Sequence, residues 1–151
     1  MNVQGKAYRT VWMEEDQIHL INQPELPHSF NIVICSTPKE TAIAIKTMIV
    51  RGAGAIGATG AFGLAQAALQ APTDDFQNTI KEAKALLANT RPTAQNLFYG
   101  LEKVDTAIQA ATSVEEARSA AVLAAQAVAE EDVASCKEIG RLGAELIHPN
   151  M

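Results

Sequence analysis

The sequence predicts an α+β fold, a small N-terminal antiparallel sheet of about three strands followed by a bundle of about five helices. Three observations predict it. Residues 7 to 35 hold three short runs rich in β-branched and aromatic residues, AYRTVWM, QIHLIN and NIVICS, separated by EED and by the proline-rich NQPELPHS. From residue 37 onward, apolar residues recur at helical spacing in alanine-rich segments, two of them opened by capping boxes. Aromatic residues are only 5% of a chain that is 48% hydrophobic, a balance that suits closely packed helices better than a β-sandwich.

The helices follow in order. Thr37-Pro38-Lys39-Glu40 is a capping box with proline at the first helical position, and Ala42, Ile45, Met48 and Ile49 recur behind it at helical spacing. On that reading Met48-Ile49-Val50 ends a helix rather than forming a strand. After a glycine-rich run, Phe62, Leu64, Ala65 and Ala68 continue as a second helix, which the turn at Pro72-Thr73-Asp74-Asp75 ends. Asp74, with Gln77 three residues on, predicts the N-cap of a third helix carrying Ile80, Ala83, Leu86 and Leu87. Thr90-Arg91-Pro92-Thr93 restarts the chain, and Leu97, Phe98, Leu101, Val104 and Ile108 mark the buried stripe of a fourth. Ser113 and Glu116 form another capping box, opening a fifth helix that runs through Ala117, Ala121, Val128, Cys136, Ile139 and Leu142 toward Ile147. The expected boundaries are a β subdomain at 1–36 and a helical bundle at 37–151, with no internal repeat.

Bulk properties exclude several classes. A net charge of -5 and scattered Lys and Arg argue against nucleic-acid binding. The first ten residues lack the apolar core of a signal peptide and no apolar run approaches a membrane span, so a cytoplasmic location without membrane contact is expected. Cys35 and Cys136 have no metal-type spacing and read as reduced, buried thiols; His19, His28 and His148 have no partner at an informative spacing, and no metal site is expected.

The stretch from Met48 to Gly63 carries the most chemistry. Gly52-Ala53-Gly54-Ala55-Ile56-Gly57 matches the dinucleotide pattern G-x-G-x-x-G, but a helix precedes it and no second strand follows, and the Lys-Ser/Thr pair of a phosphate-binding P-loop is missing. No cofactor is therefore expected. Two readings remain. Gly54, Gly57, Gly60 and Gly63 recur every third residue, which would let a helix lie close to a neighbour or let the chain turn sharply. Arg51, set just before glycine-supported amides at a helix N-terminus, would suit the anion of a phosphorylated small molecule.

Four segments in order, VWMEEDQIHLINQPELPH, MIVRGAGAIG, TRPTAQNLFYGL and EEDVASCKEIGRLGAELI, resemble the N-terminal part of the methylthioribose-1-phosphate isomerase family of methionine salvage. That superfamily includes ribose-1,5-bisphosphate isomerase and the regulatory subunits of initiation factor 2B, and the resemblance covers essentially the whole chain. It implies that Arg51, Gly52, Ala53 and Arg91 contact the phosphate of a sugar. It also implies an aldose-ketose isomerisation by proton movement between C1 and C2, with a cysteine and an aspartate as candidate acid and base. In the family that pair belongs to a C-terminal α/β domain beyond the equivalent of residue 151. Neither Cys35 nor Cys136 matches it, so no catalytic residue is assigned here and the chain alone is expected to be inactive. Partners implied are a phosphorylated sugar, a C-terminal catalytic domain or subunit, and further copies in a homo-oligomer. The family usually has proline where this chain has Gly54, which predicts a looser turn. The rival reading is a non-catalytic regulatory or interaction module like the initiation factor 2B regulatory subunits.

Overall fold

The computed structural model describes residues 2–147. The elements run β1 (Asn2–Val3), β2 (Lys6–Ala7), β3 (Val11–Glu14), β4 (Gln17–Ile21), β5 (Ile32–Cys35), α1 (Pro38–Lys46), α2 (Ala53–Gln70), α3 (Phe76–Ala88), α4 (Gln95–Ala110) and α5 (Val114–Ala144), with 3-10 turns at Gln23–Glu25 and Thr73–Asp75. The fold is α+β, as the sequence predicts.

Strands β3, β4 and β5 form the expected antiparallel sheet in that spatial order, with Val11 opposite Leu20, Leu20 opposite Val33, and Ile18 opposite Cys35. Alternation sends Val11, Ile18, Leu20 and Cys35 into the core beneath, while Trp12, His19 and Ile34 form a row across the other face. The first predicted strand is shorter than AYRTVWM suggests, because Tyr8 leaves the sheet to pack its ring on Phe30, 4.9 Å between centroids. An additional hairpin, β1 with β2, was not anticipated. Its turn residues Gln4 and Gly5 both take positive φ, 50° and 83°, the handedness that matches the twist of two short strands.

Helix α1 begins as predicted, with the Thr37 hydroxyl accepting from the Glu40 amide. The Glu40 carboxylate returns to the Ser36 amide, one residue before the cap, and Glu116 does the same to Thr112 at the start of α5. Four expectations need correction. Met48-Ile49-Val50 is neither helix nor strand: α1 stops at Lys46, Met48 takes φ 65°, and the Met48 and Ile49 amides turn back to the Ile45 and Ala44 carbonyls (3.2 and 3.0 Å), a Schellman ending. The glycines do not precede the second helix; they lie within it, and Gly54 is helical rather than in a turn. The third helix is capped at Asp75, one residue later than predicted and without a side-chain bond to the helix amides. Leu86, Phe98 and the last third of α5, past Val133, are less buried than their apolar character suggests; Ile139 is 70% exposed. Ile147 lies past the end of α5.

Helix α2 is the axis of the fold. Every residue from Ile56 to Ala68 is buried, and the helix touches the other four helices and the sheet. A helix enclosed all round cannot be amphipathic, which explains its alanine and glycine content. The pairs Gly57–Asn96, Gly60–Leu97 and Ala61–Gly100 advance together along both chains, so α2 and α4 run parallel. Their backbones nearly touch: a Cβ on Gly57 would stand 2.7 Å from the Asn96 carbonyl oxygen, and one on Gly100 would strike the Gly57 carbonyl. The rest of the core is apolar, except for Thr41, Thr59 and Gln66.

Two contrasting outcomes follow in denaturant titrations. Gly100→Ala is expected to lose about 2 to 3 kcal/mol by forcing α2 and α4 apart, whereas Gly140→Ala, on exposed α5 with no neighbour within 4 Å, is expected to gain about 0.5 to 1 kcal/mol. Gln66→Leu is expected to lose about 2 to 3 kcal/mol, because two carbonyls and one hydroxyl in the core then lose a partner.

Candidate functional site

The two sequence motifs that contain arginine meet at one end of the molecule. The segment between α1 and α2 is pinned by the fully buried Val50 and by Gln23. The Gln23 amide donates to the Ile49 carbonyl at 3.1 Å, and the Gln23 side-chain oxygen accepts from the Arg51 amide. The Arg51 side chain is left exposed. Gly52 then takes φ 97° and ψ 136°, a conformation that costs any side-chain-bearing residue strain, and becomes the N-cap of α2.

No side chain caps α2, and the first amide to find an intrahelical acceptor is Ile56, bonded to the Gly52 carbonyl at 2.9 Å. The amides of Ala53, Gly54 and Ala55 therefore have no acceptor among the described residues, and together with the aligned peptide dipoles they make that end electropositive. The opposite end of α2 is closed: the Arg118 guanidinium donates to the Ala68 and Ala71 carbonyls, at 3.3 and 2.8 Å.

Arg91 reaches the same end from another loop. It opens the turn Arg91–Ala94, closed by the Ala94 amide on the Arg91 carbonyl at 3.0 Å, and its guanidinium contacts the Met48 thioether. Helix α4 starts directly afterward, also without a side-chain cap. Because α2 and α4 run parallel, two uncapped helix N-termini lie at one end, each preceded by a short loop carrying an arginine. Beside them is a polar groove of about 240 Å³ bordered by Gly54, Gly57, Asn96, Tyr99, Asp132 and Ser135. The structure thus brings Arg51, Gly52, Ala53 and Arg91 to one end of the fold. Asn96 and Asp132 fall within the segments TRPTAQNLFYGL and EEDVASCKEIGRLGAELI, but no local signal marks their closeness to α2, which depends on how α4 and α5 pack.

The thiols differ from each other. Cys35 is buried, as expected, and burial pushes its thiol up above the ordinary range, with the nearby Glu40 charge adding to the effect and a hydrogen bond from Thr41 opposing it. Cys136, expected on a buried face, is exposed, because α5 has already run past the helices that cover its first half. Among the described residues no group of three or more His, Cys, Asp or Glu could hold a metal ion. His19 stacks on Trp12 (5.3 Å between centroids) with Nε2 3.6 Å from a Glu14 carboxylate oxygen, His28 is exposed, and His148 lies outside the described residues. No helix among the described residues is long and apolar enough to cross a membrane.

Comparison with known proteins adds to this geometry. The initiation factor 2 subunit family matches residues 49–151. A putative methylthioribose-1-phosphate isomerase from Archaeoglobus fulgidus is 42% identical over 136 residues, 88% of this chain and 40% of the relative. The methylthioribose-1-phosphate isomerase of Methylorubrum extorquens is 41% identical over 150 residues, 97% of this chain and 40% of its own length. The chain therefore spans about 40% of the length of the curated relatives it matches. Two solved structures superpose closely. The 5-methylthioribose 1-phosphate isomerase of Pyrococcus horikoshii gives a TM-score of 0.88 at 37% identity, over 94% of this chain and 41% of that one. The delta subunit of translation initiation factor eIF-2B from A. fulgidus gives 0.87 at 39% identity, over 95% and 43%.

The thiol assignment has a direct check. With Ellman's reagent, the native protein is expected to release one equivalent of thiol quickly and the second only on denaturation, and Cys136→Ser is expected to remove the fast phase.

Proposed function

This chain belongs to the initiation factor 2 subunit family, and we infer that within it the chain is the sugar-phosphate-holding part of an aldose-ketose isomerase acting on methylthioribose 1-phosphate. The observation that carries this reading is the meeting of the two uncapped helix N-termini, α2 and α4, with Arg51 and Arg91 just before them. Backbone amides there are fixed donors for phosphate oxygens, and a guanidinium adds charge and paired donors. Gly52 lets the chain turn into α2 at φ 97°, a conformation that residues with a side chain rarely adopt. Arg91 is half-buried and steadied against Met48, so it loses less freedom on binding than a fully solvated side chain.

On this reading the described residues bind and orient, and proton transfer between C1 and C2 is carried out by groups elsewhere in the protein. Cys35 is buried and held as a thiol, and Cys136 lies on the exposed length of α5, so neither supplies an acid or base beside the arginines. The chain alone is then inactive. The exposed apolar residues of α5, Ile139 and Leu142, with Leu146 and Ile147 just past its end, support a covering surface contributed by the part of each relative outside the match, or by another copy in a homo-oligomer. Two free thiols fit a reducing, cytoplasmic setting.

A regulatory or interaction module is the second reading, favoured by the likeness to the eIF-2B delta subunit. The arginines separate the two. Titration with methylthioribose 1-phosphate, followed by phosphorus NMR, is expected to show binding that Arg51→Ala and Arg91→Ala each weaken about tenfold or more, the loss of one charged hydrogen-bonding partner. Unchanged binding in both variants, with the fold intact by circular dichroism, would sink the isomerase reading in favour of the interaction module. Formation of ketose by this chain alone would show that the catalytic groups lie within it after all.

A further inference from the structure

Among the acids at the middle of α5, one is placed unlike its neighbours. Glu130 pairs with Arg9 at 2.8 Å and Glu131 accepts from the Tyr99 hydroxyl at 2.7 Å. Asp132 makes no hydrogen bond or ion pair among the described residues, yet it is half-buried and its carboxylate lies directly against Gly54, in the space where a Cβ would project. Gly54 is the second residue of α2, so this carboxylate stands beside the first turn, whose amides have no acceptor. Any residue other than glycine at 54 would displace it.

We propose that the Asp132 carboxylate serves as a resident anion at the N-terminus of α2 and sets how tightly that end binds a phosphate group. The inference rests on the reading that this end holds the phosphate of the substrate, and it adds the residue that limits the affinity. The physical basis is one charge acting in two ways. A carboxylate beside the positive end of a helix is attracted to it, so it favours the empty state. The same charge repels a second anion arriving at those amides, so it disfavours the bound state. Glu130 is paired with Arg9, and Glu131 also borders the groove but is held by the Tyr99 hydroxyl, so that of the three only the Asp132 carboxylate lies against Gly54. Arg51 and Arg91, on the loops that precede the two helices, supply positive charge at this end, and neither pairs with Asp132.

The test is a titration of this chain with inorganic phosphate at pH 7.5 and low salt, following the amide resonances of Ala53, Gly54 and Ala55. Asp132→Asn keeps the shape and removes the charge; Asp132→Ala removes both, and guards against a variant-specific packing change. Both variants are expected to bind phosphate at least about threefold more tightly than the parent chain, with the gain shrinking as potassium chloride is raised toward 0.5 M. Equal affinity in the parent and both variants, at amides whose response Arg51→Ala abolishes, overturns the role of Asp132 and leaves the phosphate site standing. Failure of all three proteins to show any response at these amides overturns the phosphate site and this inference together. Binding that appears only in the Asp132 variants supports the inference in its strongest form.

Discussion

Everything in this fold is arranged around a buried amide. Gln66, on the enclosed helix α2, has no solvent exposure, and its side chain is fully used: Nε2 donates to the Asp16 and Cys35 carbonyls, both at 2.9 Å, and Oε1 accepts from the Thr41 hydroxyl at 2.8 Å. One residue thereby ties the β3–β4 turn, the end of β5 and helix α1 to the central helix. Gln70, one turn later, repeats the link at the surface by donating to the Ser36 carbonyl and the Asp16 carboxylate. A buried polar group without partners would cost several kcal/mol, so these bonds specify where the sheet sits on α2 and disfavour other placements.

Rigidity at the centre has a consequence at the ends. Because α2 is locked by Gln66 and packed against α4 with almost no space between backbones, its terminal groups are fixed in direction. Arg118 satisfies the last carbonyls, while the first amides are met by no capping side chain. An uncapped N-terminus forgoes about 1 kcal/mol of helix stability relative to a good cap. The loss is tolerable in a helix whose stability comes from burial rather than from its ends. What it leaves is a set of donors without acceptors among the described residues, made of backbone and therefore insensitive to rotamer motion.

Much of this was legible in the sequence, and the failures have physical causes. The three long strands, the caps at Thr37 and Ser113, and the stripe Leu97, Leu101, Val104 and Ile108 were read from period and capping chemistry, both local properties. Arg51 and Arg91 were singled out by motif, and their approach to a common end is a product of parallel packing that no local signal encodes. For the glycines the sequence leaves open close approach or a sharp turn, because glycine's low helix propensity counts against a helix locally, and tertiary contact with Asn96 and Leu97 decides for close approach within α2. Cys136 and Ile139 look like core positions by spacing. Periodicity reveals that a face is apolar without revealing what covers it, and here α5 simply extends past its neighbours.

The likeness to an isomerase and to a translation-factor subunit, nearly equal in fit, is what such a scaffold should produce. Burial of α2, the Gln66 clamp and the close contact of α4 are requirements of folding, and they are indifferent to what the outer end binds. The end itself is built from backbone amides, which accept any small anion. Selectivity must therefore come from the few side chains at its rim. On the proposed reading, Arg51 and Arg91 raise its affinity for a phosphate, and Asp132, whose carboxylate fills the space left by the missing side chain of Gly54, opposes them. On that reading, two cations and one anion around a fixed set of donors make the strength of the site depend on single charges, so that exchanging one rim residue would alter binding while leaving the core, and hence the fold, as it was.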